Sequence, residues 1–309
     1  MTSSRKKFLK RAGSCIILTL ISYLLISMVL TKVVYDHTFV RYDDQPTIPS
    51  ALTQLTDSRQ AISFDSGENT LQGYLYPAKG DGLIVLAPGY RASCHEYLWQ
   101  IRHLTEKGWG VFCYDPTGSC ESEGDSAIGF SQAIYDLCAA LDTIEANGRF
   151  GYKRLYLFGH SRGAYAVCGA LDNGYDITAA VSVSGVNSCM EAVIQPVADK
   201  IGVLAYGNYP FLWLYQTSLF GKEAATNGAD VIQQSGVPTL VVQGSEDAVY
   251  PPDQYSLYAH AKQQNPANVT YYLCETDGQN GHTDLLFAAD GTQNKSLMDT
   301  IDTFLKNQR

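Results

Sequence analysis

The stretch Leu155-Tyr156-Leu157-Phe158-Gly159-His160-Ser161-Arg162-Gly163-Ala164 decides the fold of this chain. Its apolar start is typical of a buried strand, and small apolar residues at helical spacing follow it. The pattern G-x-S-x-G lies between them and predicts a sharp turn that lifts a strained serine above the sheet edge. A side chain at Gly159 or Gly163 would collide with neighbouring backbone, so both positions require glycine. The alternative is a glycine-rich turn with an incidental serine, so the rest of the chain must decide.

Further apolar runs extend this unit into a sheet. Residues Gly82 to Ala87 are apolar without alternation, which indicates a strand buried on both faces and therefore a parallel sheet. The other predicted strands are 60–65, 71–77, 110–114, 154–158, 179–184, 238–243 and 269–274. Helices are predicted over 95–107, 128–147, 253–264 and 295–307. Strands that alternate with helices predict an α/β fold, a mostly parallel central sheet with helices on both faces.

The segment between strands 179–184 and 238–243 is too long for a plain crossover. We expect a helical cap insertion at about 187–236, which is rich in aromatic residues. Because apolar acyl groups need apolar walls, Trp213 is expected to face the nucleophile and bind substrate. Two alternatives remain open: these aromatics form the cap's own core, or they dock the cap onto a bilayer.

The N-terminus differs in composition from the remainder. Five basic residues within positions 1–11 precede Ala12 to Thr31, twenty residues without charge. A helix of that length spans about 30 Å, the thickness of a hydrocarbon core. We therefore predict a single-pass membrane anchor within 1–34 with a cytoplasmic basic tail, a stem with little regular structure at 35–59, and an extracytoplasmic catalytic domain at 60–309. A cleaved signal peptide and a buried helix are the alternatives.

Charge and cysteine content exclude several classes of partner. The net charge is −9, and the first eleven residues contribute +5, so the remainder carries −14. An acidic domain argues against nucleic acid as a partner. The eight cysteines show no C-x-x-C spacing, so a zinc site is not expected. No metal or cofactor is implied, and one disulfide among Cys94, Cys120 and Cys189 stays open.

A nucleophilic serine needs a base and an acid that orients the base. Of the six histidines, only His282 follows a late strand in a loop, so His282 is the predicted base. The strand before Gly244 runs into Glu246 and Asp247, and either carboxylate would serve as the acid. Asp277 and Asp284, in the histidine's own loop, are weaker candidates.

With this serine turn and these candidate acid and histidine residues, the chain resembles the α/β-hydrolase superfamily over roughly residues 60–309. The order Ser161, Asp247, His282 matches the order of nucleophile, acid and histidine in that family. The resemblance places the acid in a G-x-x-D turn, Gly244 to Asp247 here, which favours Asp247 over Glu246. Relatives also carry a D-x-x-G-x-x-x-S-x-G stretch, which Asp115 to Gly124 fits. The resemblance implies a triad of Ser161, Asp247 and His282.

The resemblance also implies an oxyanion hole made of backbone N–H groups. Many relatives carry His-Gly after the third strand, where this chain has Pro88-Gly89. Backbone donors survive side-chain changes, so Tyr90 and Arg162 are expected to supply the two N–H groups. The Tyr90 phenol would add a donor or line the pocket.

These expectations describe a membrane-anchored serine hydrolase that cleaves an acyl bond, most simply a carboxylic ester, through an acyl-enzyme. A serine peptidase, thioesterase or acyltransferase on the same fold is the alternative, so the substrate is a small-molecule or peptide acyl compound. A catalytically inactive binding module is the rival from another class.

Overall fold

A computed structural model describes residues 3–308, with side chains from residue 11 onward. Eight strands in this range form a single sheet in the order β1-β2-β4-β3-β5-β6-β7-β8. The strands are β1 (Gln60–Ser66), β2 (Asn69–Tyr76), β3 (Gly82–Ala87), β4 (Gly110–Tyr114), β5 (Arg154–His160), β6 (Ile177–Val183), β7 (Thr239–Gly244) and β8 (Val269–Cys274). Strand β2 is antiparallel to its two neighbours, and the remaining pairs are parallel. The predicted mostly parallel sheet is confirmed.

The register of the central strands positions the site. Strand β3 is buried along its whole length and pairs with β5, so that Ala87 lies opposite Gly159. Because parallel strands end at the same edge, the loops that follow β3 and β5 emerge side by side. The expected nucleophile turn and the expected oxyanion loop are therefore neighbours.

Helices cover both faces of the sheet, as predicted. They are α1 (Ser3–Thr38), α2 (Thr53–Asp57), α3 (Leu98–Glu106), α4 (Gln132–Ala146), α5 (Arg162–Ala170), α6 (Cys189–Ile201), α7 (Tyr209–Phe220), α8 (Gly228–Ser235), α9 (Leu257–Gln264) and α10 (Lys295–Lys306). Apolar residues of α4 and α5 fill the core on one face, and those of α3 and α10 fill the core on the other. Helix α4 begins at Gln132 and not at residue 128 as expected. Ile128 has a positive φ of 57°, which a right-handed helix does not allow.

The segment between β6 and β7 holds α6, α7 and α8. Two 3₁₀ turns, Gly202–Asn208 and Gly221–Ala225, separate these helices, and each starts at a glycine with positive φ. Helix α8 packs with α5 and α9 over the sheet. The part that lies over the active-site edge is thus α6, α7 and the two turns, and we call residues 189–225 the cap.

Helix α1 runs from the N-terminus into the body of the protein. Its segment Arg11–Thr38 is long and apolar enough to cross a membrane, a property that anchors and signal sequences share. At its end, Tyr35 and the following Phe39 are each only 2% exposed, and both belong to the main core. Met1, Thr2 and Arg309 lie outside the described residues, as do the side chains of the basic residues 5–10, so the predicted tail is described only as helical backbone.

The stem is packed against the domain, unlike the linker that we expected. Val40 pairs with Ser126, and Tyr42 pairs with Ser119. The Arg41 guanidinium donates to the carbonyl oxygens of Cys120 and Ser122 at 2.6 and 2.9 Å. Short-range sequence patterns gave no sign of these partners, which lie about eighty residues away in sequence.

Candidate active site

Ser161 sits at the sharp turn between β5 and α5. Its backbone has φ 56° and ψ −117°, a conformation that is rare for a residue with a side chain. A Cβ atom added at Gly159 would collide with the Gly163 carbonyl group, and one added at Gly163 would collide with the Ala87 carbonyl group. The predicted need for two glycines around the serine is confirmed.

Three side chains from different loops form a continuous hydrogen-bonded line. The Ser161 hydroxyl lies 2.8 Å from Nε2 of His282, and Nδ1 of His282 lies 2.8 Å from Oδ2 of Asp247. Since a carboxylate only accepts, Nδ1 carries the proton, and Nε2 is free to accept from the serine hydroxyl. The structure thus brings together the three residues that the sequence predicts as a triad.

The acid is held ionised by its turn. Burial alone would raise the pKa of Asp247, but the hydrogen bond and electrostatic interaction with His282, together with backbone hydrogen bonds, lower that pKa. The N–H groups of Val249 and Tyr250 each donate to Oδ1 at 2.9 Å and act in the same direction. Glu246 is exposed, as are Asp277 and Asp284, so none of these alternatives matches the position of Asp247.

Gly244 explains how the acid and the histidine come close. The turn after β7 packs directly on the loop after β8, and the Glu246 N–H donates to the Asn280 carbonyl oxygen at 2.9 Å. A Cβ atom at Gly244 would collide with that same carbonyl group. A glycine at this position therefore sets the spacing between Asp247 and His282.

A second line of hydrogen bonds runs beneath the triad. Nε2 of His160 lies 3.1 Å from the His282 carbonyl oxygen, so this nitrogen must be the donor. Nδ1 of His160 is then left to accept from the Tyr97 hydroxyl at 2.9 Å, and that oxygen accepts in turn from the Gly89 N–H at 2.9 Å. Burial, followed by the nearby His282, lowers the pKa of His160 to about 3, so the ring is neutral. His160 ties the loop of the expected base to the loop after β3.

The predicted oxyanion donors lie at the same edge. Helix α5 begins at Arg162, so the Arg162 N–H belongs to the first turn, where backbone donors have no intrahelical acceptor. Tyr90 follows Gly89 on the loop after β3 and lines the cavity in front of Ser161. Its phenol donates to the Thr38 carbonyl at the end of α1. The phenol therefore points away from the position expected for an oxyanion.

The Arg162 side chain has a separate, structural position. It is buried beneath the turn and donates to the carbonyl oxygens of Phe130 and Gly129, the former at 3.0 Å. Burial lowers the pKa of this guanidinium, although Asp136 and nearby tyrosines act in the opposite direction.

Ser161 and His282 open into a cavity of about 1170 Å³. This volume exceeds the roughly 300–1,000 Å³ of ordinary small-molecule sites. Its walls are mostly apolar and come from α1, the cap and the loops at the sheet edge. Glu96 is the one carboxylate among the described lining residues, and it accepts from the N–H and hydroxyl of Ser93 at 2.7 and 2.5 Å.

Trp213 does not have the predicted position. It is 46% exposed on α7 and does not line the cavity, whereas the preceding Leu212 does. The Tyr35 hydroxyl donates to Gln216 at 3.2 Å and fixes which face of α7 points inward. Because residues 209–215 are apolar on every side, helical periodicity could not select the inward face.

The D-x-x-G-x-x-x-S-x-G stretch is hydrogen-bonded within itself and to the loop after β3. Asp115 accepts from the N–H groups of Cys94 and Glu121 at 3.0 and 3.3 Å, and Ser122 donates to the Asp115 carbonyl at 2.5 Å. Burial raises the pKa of Asp115 to about 6. None of the described contacts joins this stretch to the triad, so its role is to order the loop.

Sequence reasoning missed His160, Tyr97 and Tyr250. The Tyr250 ring packs edge-on against the His282 imidazole, with centroids 5.1 Å apart. The His160 ring is hydrogen-bonded to the backbone of the His282 loop. The G-H-S order was the available signal. It did not reveal the partner, because the partner lies 122 residues away.

Several known proteins are similar to this chain. The family of S33 serine aminopeptidases matches residues 78–206. An esterase from Pyrococcus furiosus superposes with a TM-score of 0.63 at 18% identity, over 87% of this chain and 98% of the esterase. A Butyrivibrio proteoclasticus protein solved with ferulic acid gives 0.60 at 16% identity, over 80% and 99%.

A proline iminopeptidase from Mycobacterium smegmatis gives a TM-score of 0.54 at 13% identity, over 81% of this chain and 98% of that enzyme. No curated protein matches the sequence significantly. At these identities the solved structures establish the fold alone. The sheet order and these similarities agree, and the chain has the α/β-hydrolase fold.

Proposed function

We propose that this protein is a membrane-anchored serine hydrolase that cleaves carboxylic esters. The observation that carries the proposal is the line of two 2.8 Å contacts from Ser161 through His282 to Asp247. A strained nucleophile, a base in the accepting tautomer and an ionised acid are what nucleophilic acyl transfer needs.

The reaction follows from these positions. Ser161 Oγ attacks the acyl carbonyl carbon while its proton passes to His282 Nε2. The bond to the leaving oxygen then breaks, and His282 returns the proton to that oxygen, which leaves an acyl-enzyme. His282 next takes a proton from water, the hydroxide attacks the acyl carbon, and the carboxylic acid leaves as Ser161 regains its proton. The N–H groups of Tyr90 and Arg162 would bind the oxyanion in both halves.

An ester is favoured over an N-terminal peptide because of the cavity's charge. An aminopeptidase has to bind a substrate ammonium, for which a free carboxylate is the natural partner. The one carboxylate on the described cavity walls, Glu96, is already engaged by Ser93. Apolar walls instead stabilise an acyl chain by roughly 0.8 kcal/mol per buried CH₂.

The packing of α1 supports a retained anchor over a cleaved signal. Cleavage after the apolar run would remove the contacts of Tyr23 with Gly207 and Phe211. Cleavage beyond Tyr35 would also remove that side chain from the core, together with its hydrogen bonds to Gln216 and Phe130. A cleaved signal peptide is absent from the mature protein, so its side chains would not contribute to the mature core. The basic residues before the span favour a cytoplasmic N-terminus and an extracytoplasmic catalytic domain.

Labelling with a fluorophosphonate tests the proposal. The full-length protein should be labelled and should hydrolyse p-nitrophenyl esters, and Ser161→Ala should abolish both. Ser245→Ala is the matched control, because Ser245 lies in the acid turn but outside the triad, and it should behave like the wild type. Labelling that persists in Ser161→Ala, or an unlabelled wild type, would contradict the proposed mechanism.

A further inference from the structure

The cap is attached to α1 over a long part of that helix. The Tyr23 hydroxyl donates to the Gly207 carbonyl oxygen at 3.0 Å, and its ring packs edge-on against Phe211 at 5.9 Å. Twelve residues later, Tyr35 packs against Tyr215 at 5.3 Å. The cap and the helix therefore share one interface from Tyr23 to Tyr35.

A polar cluster marks where α1 reaches water. Lys32 lies 2.5 Å from Asp36, and Tyr215 lies 3.2 Å from Lys32 and 2.6 Å from Asp36. No charged residue occurs between Arg11 and Lys32. If Ala12 to Thr31 occupies the hydrocarbon core, this cluster lies at the extracytoplasmic surface of the membrane.

The position of Tyr23 then fixes the depth of the cap. Lys32 follows Tyr23 by nine positions on the helix, which corresponds to roughly 13.5 Å along the helix axis. Half of a hydrocarbon core is roughly 15 Å. The turn that contacts Tyr23, residues 202–208, therefore lies within the extracytoplasmic leaflet, and we call this turn the cap tip.

The surface of the cap tip suits that environment. Val203 is 81% exposed and Leu204 is 77% exposed, and Ile201 just before them is also exposed. The adjoining face of α7 exposes Trp213 and Leu214. Apolar surface of this kind is unfavourable in water, and here it adjoins the lipid-facing surface of α1.

The cavity reaches the same level. Leu30 and Val34 of α1 and Leu204 and Leu212 of the cap line this cavity together with Ser161 and His282. Thr31 also lines it; this residue is buried, and its hydroxyl has no hydrogen-bond partner among the described residues. One apolar cavity thus has the nucleophile, α1 and the cap tip in its walls, and we call the part of it between Leu30 of α1 and Leu204 of the cap tip the portal.

We propose that the substrate is an ester-linked acyl lipid of the extracytoplasmic leaflet, which enters laterally through the portal without leaving the bilayer. This inference rests on the proposed hydrolase function and names its substrate class. A bilayer lipid is the occupant because the cavity walls are continuous with the surface of a membrane-spanning helix. The volume of the cavity also accommodates more than a short acyl group.

Fluorescence measures the depth of the cap directly. Full-length protein in proteoliposomes should lose tryptophan emission when the lipids carry brominated acyl chains, and comparison with Trp213→Phe assigns the part that comes from Trp213. Unquenched Trp213 would overturn the inference. Cross-linking of two copies through the cap would also overturn it, because the apolar surface would then be a dimer interface.

Kinetics test the substrate. Val203 lies outside the cavity lining, so Val203→Asp should lower hydrolysis of a long-chain ester lipid in vesicles at least tenfold. Turnover of soluble p-nitrophenyl acetate by the same proteoliposomes should stay within twofold, and Val203→Leu should match the wild type in both assays.

The two proposals fail separately. Equal activity of Val203→Asp and wild type on vesicle lipid, with acetate turnover intact, would overturn lateral entry and leave the hydrolase in place. Absence of all ester turnover and of fluorophosphonate labelling would overturn the hydrolase itself.

Discussion

Replacement of His160 by glutamine should make the protein less sensitive to acid. Burial and the neighbouring His282 lower the pKa of His160 to about 3, whereas an unfolded histidine titrates near its ordinary value of 6.5. Below pH 6.5 the unfolded chain therefore binds a proton that the folded protein rejects, and stability falls as the pH falls. Each pH unit costs about 1.36 kcal/mol, so His160 alone lowers the free energy of unfolding by about 2 kcal/mol at pH 5.

Glutamine suits the test because it does not titrate and still offers a donor toward the His282 carbonyl. Thermal unfolding of full-length protein in detergent at pH 7 and pH 5 measures the effect. Other histidines with lowered pKa values, His95 and His103, remain in both proteins and cancel in the comparison. The wild-type melting midpoint should fall by about 3 °C more than that of the variant.

His37→Gln is the control, since His37 is exposed on α1. Its dependence on pH should follow that of the wild type. Equal losses in His160→Gln and in the wild type would show that His160 is not held neutral between the two loops.

The remaining predictions concern the triad and the turn that carries Ser161. Asp247→Asn should lower kcat by about four orders of magnitude, as wrong-tautomer variants of such triads do, whereas Glu246→Gln should stay close to wild type because its side chain is exposed; a larger loss in Glu246→Gln in an ester assay would refute the assignment of the acid. Gly163→Ala should yield misfolded or strongly destabilised protein, because its Cβ would overlap the Ala87 carbonyl group, and a soluble variant with a wild-type melting midpoint would refute the steric argument.

Local patterns in the sequence predicted most of the sheet. The bounds of β3, β4 and β8 match the prediction, since continuous apolar runs between turn residues define buried strands well. The sharp turn at Ser161 was predictable, because side chains at Gly159 and Gly163 would collide with the neighbouring backbone. His282 was predictable because few histidines follow late strands, whereas the choice of Asp247 over Glu246 came from the family resemblance.

The missed features all depend on distant partners. The burial of Tyr35 and Phe39 depends on ring contacts with α7 and with Phe130, respectively. Periodicity along α1 cannot reveal these contacts. Trp213 and Leu212 are both apolar, and contacts with distant residues, such as that of Gln216 with Tyr35, decide which of them faces inward. The packing of the stem was missed for the same reason, because the Arg41 partners lie far along the chain.

The burial of Tyr35 also bears on how the protein is made. Residues near position 35 leave the ribosome early, yet their partner Gln216 is 181 residues further along the chain. If the membrane holds α1, as we propose, the domain has to complete its core against a segment that cannot diffuse freely. The last steps of folding would then take place at the bilayer surface, and a chain made without its first forty residues would lack the aromatic side chains of Tyr35 and Phe39 in its core.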